Sequence, residues 1–256
     1  KKIKPDYVFL AAAKVGGIQA NNLSPAEFLY QNLLIEMNLI HGSYQAGVKN
    51  LVFLASSCAY PGGINKPIKE KELLNGSLEK TNEGYSIAKL AGIKLCELYS
   101  KQYNLNYFSV MPCNTYGPND NFNLLSCHFI PALISKIHNA KINKKKKITL
   151  WGSGTPLREV LYSEDLADAL IFLSKKKHKK NLINIGSNIE YSINSFAKKI
   201  MKILNYKCKI EYDKKKPDGV KRKKLDTSLI SQLGWKPKIK FNQSIIKTYK
   251  FYKDLK

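Results

Sequence analysis

Long hydrophobic runs are missing from this chain. No segment approaches the ~20 apolar residues of a membrane-spanning helix. The short apolar run near the start follows Asp6 and is shorter than most signal-peptide cores, so it reads as a buried strand. A cytoplasmic protein with no membrane partner is the expectation. The cysteines Cys58, Cys96, Cys113, Cys127 and Cys208 are odd in number, scattered and without C-x-x-C spacing. That excludes a disulfide or zinc framework and fits reduced thiols; no metal site is expected. Acidic residues are also scarce: 19 Asp and Glu stand against 43 Lys and Arg, for a formal charge of +24. Such a balance fits nucleic acid or an anionic small substrate. The excess is mostly lysine, in blocks at 143–147, 175–180, 214–216 and 221–224 that flank apolar segments as solvated loops do. Aromatic interleaving and zinc-finger or RNP patterns are lacking, so no nucleic-acid partner is expected. An AT-rich coding bias, which the Ile and Asn content also suggests, is the expected source of the lysines.

At 256 residues and 44% hydrophobic, the chain is long enough for a real core plus a smaller lobe. Strand and helix patterns alternate: "DYVFLAAA", a helix over 27–47, "NLVFLASS", a helix from Thr81, then "NYFSVMP". This order argues for a parallel α/β sheet. A helix begins near residue 127 with Pro131 in its first turn, and another is capped near Ser163. "NLINIG" and "CKIEY" read as later strands, with two further helices at the end. One piece is absent. A doubly wound dinucleotide fold opens with a strand, a glycine-rich turn and a helix, whereas here Gly16-Gly17 lacks that spacing. The first strand reads like a middle strand of such a sheet, and roughly 50 further residues are expected upstream.

In "TNEGYSIAKLAGIKLCELYS" Tyr85 and Lys89 lie four residues apart and share a helix face. A free phenol has a pKa near 10, and a neighbouring ammonium lowers it, which suits proton transfer to an alcohol or ketone oxygen. Taken alone the pair reads equally as packing with a snorkelling lysine. "LASSCAYPGG" puts Ser56, Ser57 and Cys58 where a buried parallel strand ends, the edge at which such sheets bind ligands. Alone, it is also an ordinary turn.

Together, Ser-Ser-x-x-Tyr-Pro followed 29 residues after Ser56 by Y-x-x-x-K resembles the short-chain dehydrogenase/reductase family, in its extended nucleotide-sugar branch. Within that branch, "LAAAKVGGIQANN", "SSCAYP", "MPCNTYGPNDNF" and "WGSGTPLRE" look like the GDP-L-fucose synthases. The resemblance runs nearly the whole length. It implies a doubly wound, Rossmann-like parallel sheet, N-terminally incomplete, with a smaller α/β C-terminal substrate lobe. Residues 1–120 would form a partial NADP-binding domain carrying Ser56, Tyr85 and Lys89. Residues 121–256 would be mainly the GDP-sugar lobe, with some segments returning to the core sheet.

The implied reaction is 3,5-epimerisation of GDP-4-keto-6-deoxy-D-mannose, then NADPH-dependent reduction at C4. Ser56, Tyr85 and Lys89 match the family's catalytic triad, and Cys58 and His128 its epimerisation acid/base pair. A thiol and an imidazole can both exchange protons near neutrality. Without the resemblance, Cys58 reads as a small buried hydrophobe and His128 as a helix-start residue. Cofactor contacts implied for NADP(H) are Ala11, Ala12, Leu54, Ala55, Ser56, Ser57, Tyr85, Lys89, Pro112, Cys113, Asn114, Thr115 and His128. Lys136, Trp151, Arg158 and Asp218 match positions that hold the GDP-sugar, and Arg158 suits a bidentate grip on diphosphate.

Cys96 is expected to be core packing. Gly84 stands where many relatives have proline and Cys113 where they have threonine or serine, and no adenosine site is visible. The family implies a homodimer through helices near 27–46 and 82–103. A GDP-L-colitose synthase, another nucleotide-sugar epimerase/reductase, a non-catalytic relic and a basic scaffold are the alternatives.

Overall fold

The computed structural model describes residues 3–216 and 218–255. Strand β1 (Tyr7–Leu10) leads to helices α1 (Ile18–Leu23) and α2 (Pro25–Gln45), then to β2 (Asn50–Leu54), α3 (Glu83–Tyr103) and β3 (Asn106–Pro112). Next come β4 (Asn114–Tyr116), α4 (Phe129–Ile142), β5 (Lys147–Trp151), β6 (Leu157–Tyr162), α5 (Ser163–Lys175) and β7 (Leu182–Ile185). The chain continues through β8 (Glu190–Ser192), α6 (Ile193–Ile203), β9 (Lys209–Asp213), β10 (Arg222–Lys223), α7 (Ser228–Leu233) and α8 (Phe241–Asp254).

The main sheet is parallel throughout, in the order β1-β2-β3-β7. Leu51, Val52 and Phe53 of β2 are buried in succession, as a central parallel strand covered by helices requires. β1 lies at one edge, with Leu10 buried and Phe9 42% exposed. β7, far along the chain, returns to pair with β3 at Val110↔Ile183. The parallel α/β architecture expected from the alternation is therefore the one observed.

α2 and α3 pack side by side on the sheet. Pro25 occupies the first turn of α2, where its missing N–H costs nothing, and α3 ends on Asn104 in the left-handed conformation. The buried stripe of α2 is Phe28, Asn32, Glu36 and Ile40, one residue every fourth position. Asn32 is satisfied: it accepts from the Lys14 N–H and donates to the carbonyls of Lys14 and Phe28. That bond set ties the loop after β1 to the helix.

The second lobe centres on β6, flanked by parallel β4 and β10 and by antiparallel β8, with a separate parallel pair β5–β9. Its apolar core joins α4, α6 and α8 through Ile134, Ile137, Phe196, Ile200 and Ile245. Glu159 of β6 stitches the lobes together. Fully buried, it accepts from the Leu225 and Asn188 amides. Ser163 is the first residue of α5 rather than its cap; Tyr162 takes the cap position, with no side-chain cap bond. Among the described residues no helix is long and apolar enough to cross a membrane.

Candidate active site

β1, β2 and β3 run in parallel, so their carboxyl ends lie on one edge of the sheet. There a cavity of about 610 Å³ opens between the lobes, lined by Ala55–Cys58 just after β2, by Pro112–Thr115 where β3 passes into β4, and by Tyr85, His128, Lys136, Trp151, Arg158 and Asp218. The position follows from topology: strand ends at a crevice form the ligand edge of open α/β sheets.

Ser56 ends the extended run and caps a short 3₁₀ turn over Ser57–Ala59. Its hydroxyl oxygen accepts from the Cys58 N–H at 3.3 Å, and the same hydroxyl is hydrogen-bonded with Tyr85. Tyr85 lies in the first turn of α3. Burial pushes its phenol well above the ordinary value, the charge of Cys58 adds to that, and a hydrogen bond with Ser56 pulls the other way. Its pKa therefore moves up, not down as the Tyr85–Lys89 spacing had implied, because desolvation and the neighbouring acidic groups outweigh the hydrogen bond with Ser56. Around neutral pH Tyr85 is a protonated phenol, ready to donate.

Lys89 sits one turn on, but beneath the cavity rather than in its wall. It is 2% exposed, donates to the Leu54 carbonyl at 3.0 Å and pairs with Glu36 at 3.1 Å. Its ammonium lies 4.7 Å from the Phe53 ring centroid and 5.9 Å from that of Tyr85. Burial lowers its pKa and Glu36 raises it.

Cys58 faces the open cavity, and two donors converge on its sulfur: Asn82 Nδ2 at 3.1 Å and Lys223 Nζ at 3.3 Å. Such donors stabilise the charge that develops on sulfur as its proton leaves. His128 takes the cap position of α4 and shows its ring to the cavity. The surrounding walls desolvate it even though its surface reaches solvent, and its pKa is lowered. It is a neutral imidazole at pH 7, able to accept a proton.

At the other end, Lys136 donates to the Thr149 carbonyl at 2.8 Å and lies 5.7 Å from the Trp151 ring centroid. Trp151 is 41% exposed at the cavity rim, so it is not core. Arg158 Nη1 donates to the carbonyls of Leu157 and Val220, both at 2.8 Å, which fixes the guanidinium on the cavity wall. Asp218 accepts from the Ser153 amide at 2.6 Å and hydroxyl at 2.8 Å. Gly152, with φ of +70°, makes that possible: a Cβ there would fall 2.1 Å from Asp218 Oδ1.

Among the expected cofactor contacts, Ala11 and Ala12 follow β1 as exposed residues outside the cavity lining. Leu54 also lies behind the wall and contributes its carbonyl to Lys89. The lysine blocks at 144–147 and 214–216 are largely exposed, as expected of solvated segments, but the block at 221–224 is not a simple surface loop. Strand β10 carries Lys223 into the site, because its pairing with β6 sets Lys223 beside Arg158. Lys223, Asn82 and Glu36 were missed by sequence reasoning. Asn82 stands three residues before Tyr85, and Glu36 interrupts an apolar helical face; both were signals. Lys223 was hidden among like neighbours.

Residues 1–186 match the NAD dependent epimerase/dehydratase family. A GDP-L-fucose synthase from Sinorhizobium fredii is 50% identical over 251 residues, covering 98% of this chain and 80% of its own. A GDP-L-colitose synthase from Yersinia pseudotuberculosis is 39% identical, with coverage of 98% and 82%. The crystal structure of a GDP-L-fucose synthetase from Naegleria fowleri bound to NADP superposes with a TM-score of 0.88 at 28% identity, covering 99% of this chain and 78% of that one.

Proposed function

The chain belongs to the NAD-dependent epimerase/dehydratase family, and from that premise we propose that it converts GDP-4-keto-6-deoxy-D-mannose to GDP-L-fucose, by 3,5-epimerisation followed by NADPH-dependent reduction at C4. The observation that carries this reading is a single cavity lined by two proton-transfer sets, Cys58 with His128 and Ser56 with Tyr85. The higher identity to the fucose enzyme than to the colitose enzyme favours the fucose reading.

The C3 and C5 protons lie α to the C4 ketone, so their removal gives an enolate. Cys58 and His128 remove and return these protons, on opposite faces of the carbon. The Ser56 hydroxyl and the Tyr85 phenol, hydrogen-bonded to each other, turn to donate to the C4 oxygen and stabilise the charge that gathers there. Once the sugar is epimerised, Tyr85 gives its proton to the same oxygen.

The residues present fit the nicotinamide end of NADP(H). The Ala55–Ser57 and Pro112–Thr115 walls flank the carboxyl edge of two adjacent strands, and Lys89 keeps one of its three N–H donors after Leu54 and Glu36 are served. Bound there, the cofactor supplies hydride to C4. Lys136, Trp151, Arg158 and Asp218 hold the GDP end, with the guanidinium on the diphosphate. In this reading residues 1–120 serve the cofactor and the triad, and residues 121–256 mainly serve the nucleotide sugar.

A homodimer in the cytoplasm belongs to the same proposal. The outer faces of α2 and α3 expose Tyr30, Leu34, Met37, Ile87 and Leu98, an apolar surface that a second copy would cover. Incubation of the full-length protein with the ketosugar and NADPH should give a product with L configuration at C5 and stoichiometric NADPH oxidation. A product with unchanged C3 and C5 would reduce the assignment to a simple C4 reductase.

A further inference from the structure

The acid inside α2 is unexplained by anything so far. Glu36 is 1% exposed, and among the described residues neither of its oxygens has a hydrogen-bond partner beyond the Lys89 ion pair. Burying a carboxylate is costly, and an acid retained only for packing would be replaced to advantage by an apolar residue. The neighbouring helix is shaped around it. At Gly92 of α3 a Cβ would meet Glu36 Oε2 at 2.7 Å and the Phe53 ring at 2.5 Å, so only glycine leaves room for the carboxylate beside Lys89. The ammonium is thereby pinned from two sides, by Glu36 of α2 and by the Leu54 carbonyl at the end of β2.

We propose that Glu36 is the positioning residue for Lys89: its carboxylate keeps the ammonium charged and fixed under Tyr85, so that proton delivery to C4 depends on it far more than proton exchange at C3 and C5 does. This rests on the reading of the reaction given above. Glu36 touches neither substrate nor cofactor and acts only through Lys89.

The titratable groups around Glu36 are Lys89, Tyr85 and Cys96, all of α3. Burial pushes Cys96 up to about 12 and Tyr85 up as well, so both stay neutral near pH 7. Glu36 itself is pushed up to about 7 by burial, against the pull of Lys89. As pH falls through that value the carboxylate takes up a proton, and the ammonium loses its counter-charge.

The test uses the full-length protein, its Glu36→Gln and Glu36→Asp variants, and Lys89→Met. In the absence of sugar and cofactor, infrared titration of the parent should show a protonated-carboxyl band that fades as pH rises through about 7. The band should be missing in Glu36→Gln and should persist to higher pH in Lys89→Met, where the charge that lowers the acid's pKa is gone. In turnover, Glu36→Gln should lower kcat for reduction on the order of 10- to 100-fold. It should also move the alkaline limb of kcat to lower pH, because Lys89 has lost the charge that raises its pKa. C3 and C5 deuterium exchange should fall much less, and Glu36→Asp should restore part of the reduction rate. A parallel fall of both half-reactions with a lowered Tm would mark Glu36 as merely structural and overturn the proposal, as would an unchanged alkaline limb. If the parent fails to turn over the ketosugar, the reaction reading fails, while the infrared titration still decides whether Glu36 and Lys89 are coupled.

Discussion

Cys58 and Lys89 belong to the same strand–helix unit, β2 with α3, yet one works in the open and the other under a seal. Lys89 draws its partners from the unit and the adjacent α2, all within the first 90 residues, and is almost fully buried. Cys58 faces the cavity, and its charged partner Lys223 arrives from 165 residues downstream. In the proposed reaction the reducing groups are thus a compact part of the main sheet, whereas the epimerising groups draw Lys223 and His128 from the second lobe. The two half-reactions should respond differently to damage.

The largest effect tests the shared oxygen. Tyr85→Phe removes the proton donor and little volume, so ketosugar-dependent NADPH oxidation should fall on the order of 10²- to 10⁴-fold with Tm nearly unchanged. Near-parental oxidation would remove Tyr85 from the reaction.

Next in size is the separation of the half-reactions. Cys58→Ser should slow deuterium incorporation at C3 and C5 on the order of 10²-fold and leave reduction of an already epimerised ketosugar close to normal. The pH dependence sharpens this. His128 must be neutral to take a proton, and its pKa is lowered by desolvation, so exchange should survive below the ordinary imidazole value of about 6.5 before its acid limb sets in. An acid limb at or above that value would mean that another base is at work.

Lys223→Met keeps length and removes the donor to sulfur. Losing a hydrogen bond to a developing charge costs about 1.5–3 kcal/mol, or roughly 10- to 100-fold in exchange rate. Reduction should barely change; if it falls equally, the contrast between the two machineries disappears. The smallest effect concerns binding. Arg158→Lys keeps the charge but not the planar fork, and should raise KM for the GDP-sugar by roughly tenfold or less with kcat little altered.

Sequence carried the sealed half better than the open one. Short continuous apolar runs give the buried strands and a 3.6-residue period gives α3, and the short spacing of Tyr85 and Lys89 is visible because both sit on one helix. The direction of Tyr85's shift was not visible, since burial depends on packing between α2 and α3 rather than on neighbours in the chain. Asn82 could have been found by the same helical spacing. Lys223 could not: in a run of four basic residues, strand pairing alone decides which one points at a thiol. Arg158 and Asp218 were legible through their resemblance to nucleotide-sugar enzymes, while the turn that holds Asp218 against Ser153 depends on a positive φ that no residue pattern around Gly152 states outright.

β10 is only two residues long, and it lies against β6 with Arg222 opposite Leu157 and Lys223 opposite Arg158. Arg222 is locked outside by its ion pair with Glu190 at 2.9 Å. Because side chains alternate across a strand, sliding this segment by one residue would turn Lys223 away from the sulfur and bring a neighbour in its place. The connection from β9 to β10 therefore works as a measuring tape. Gaining or losing a single residue there should uncouple the epimerase from the reductase without touching any residue that handles a proton.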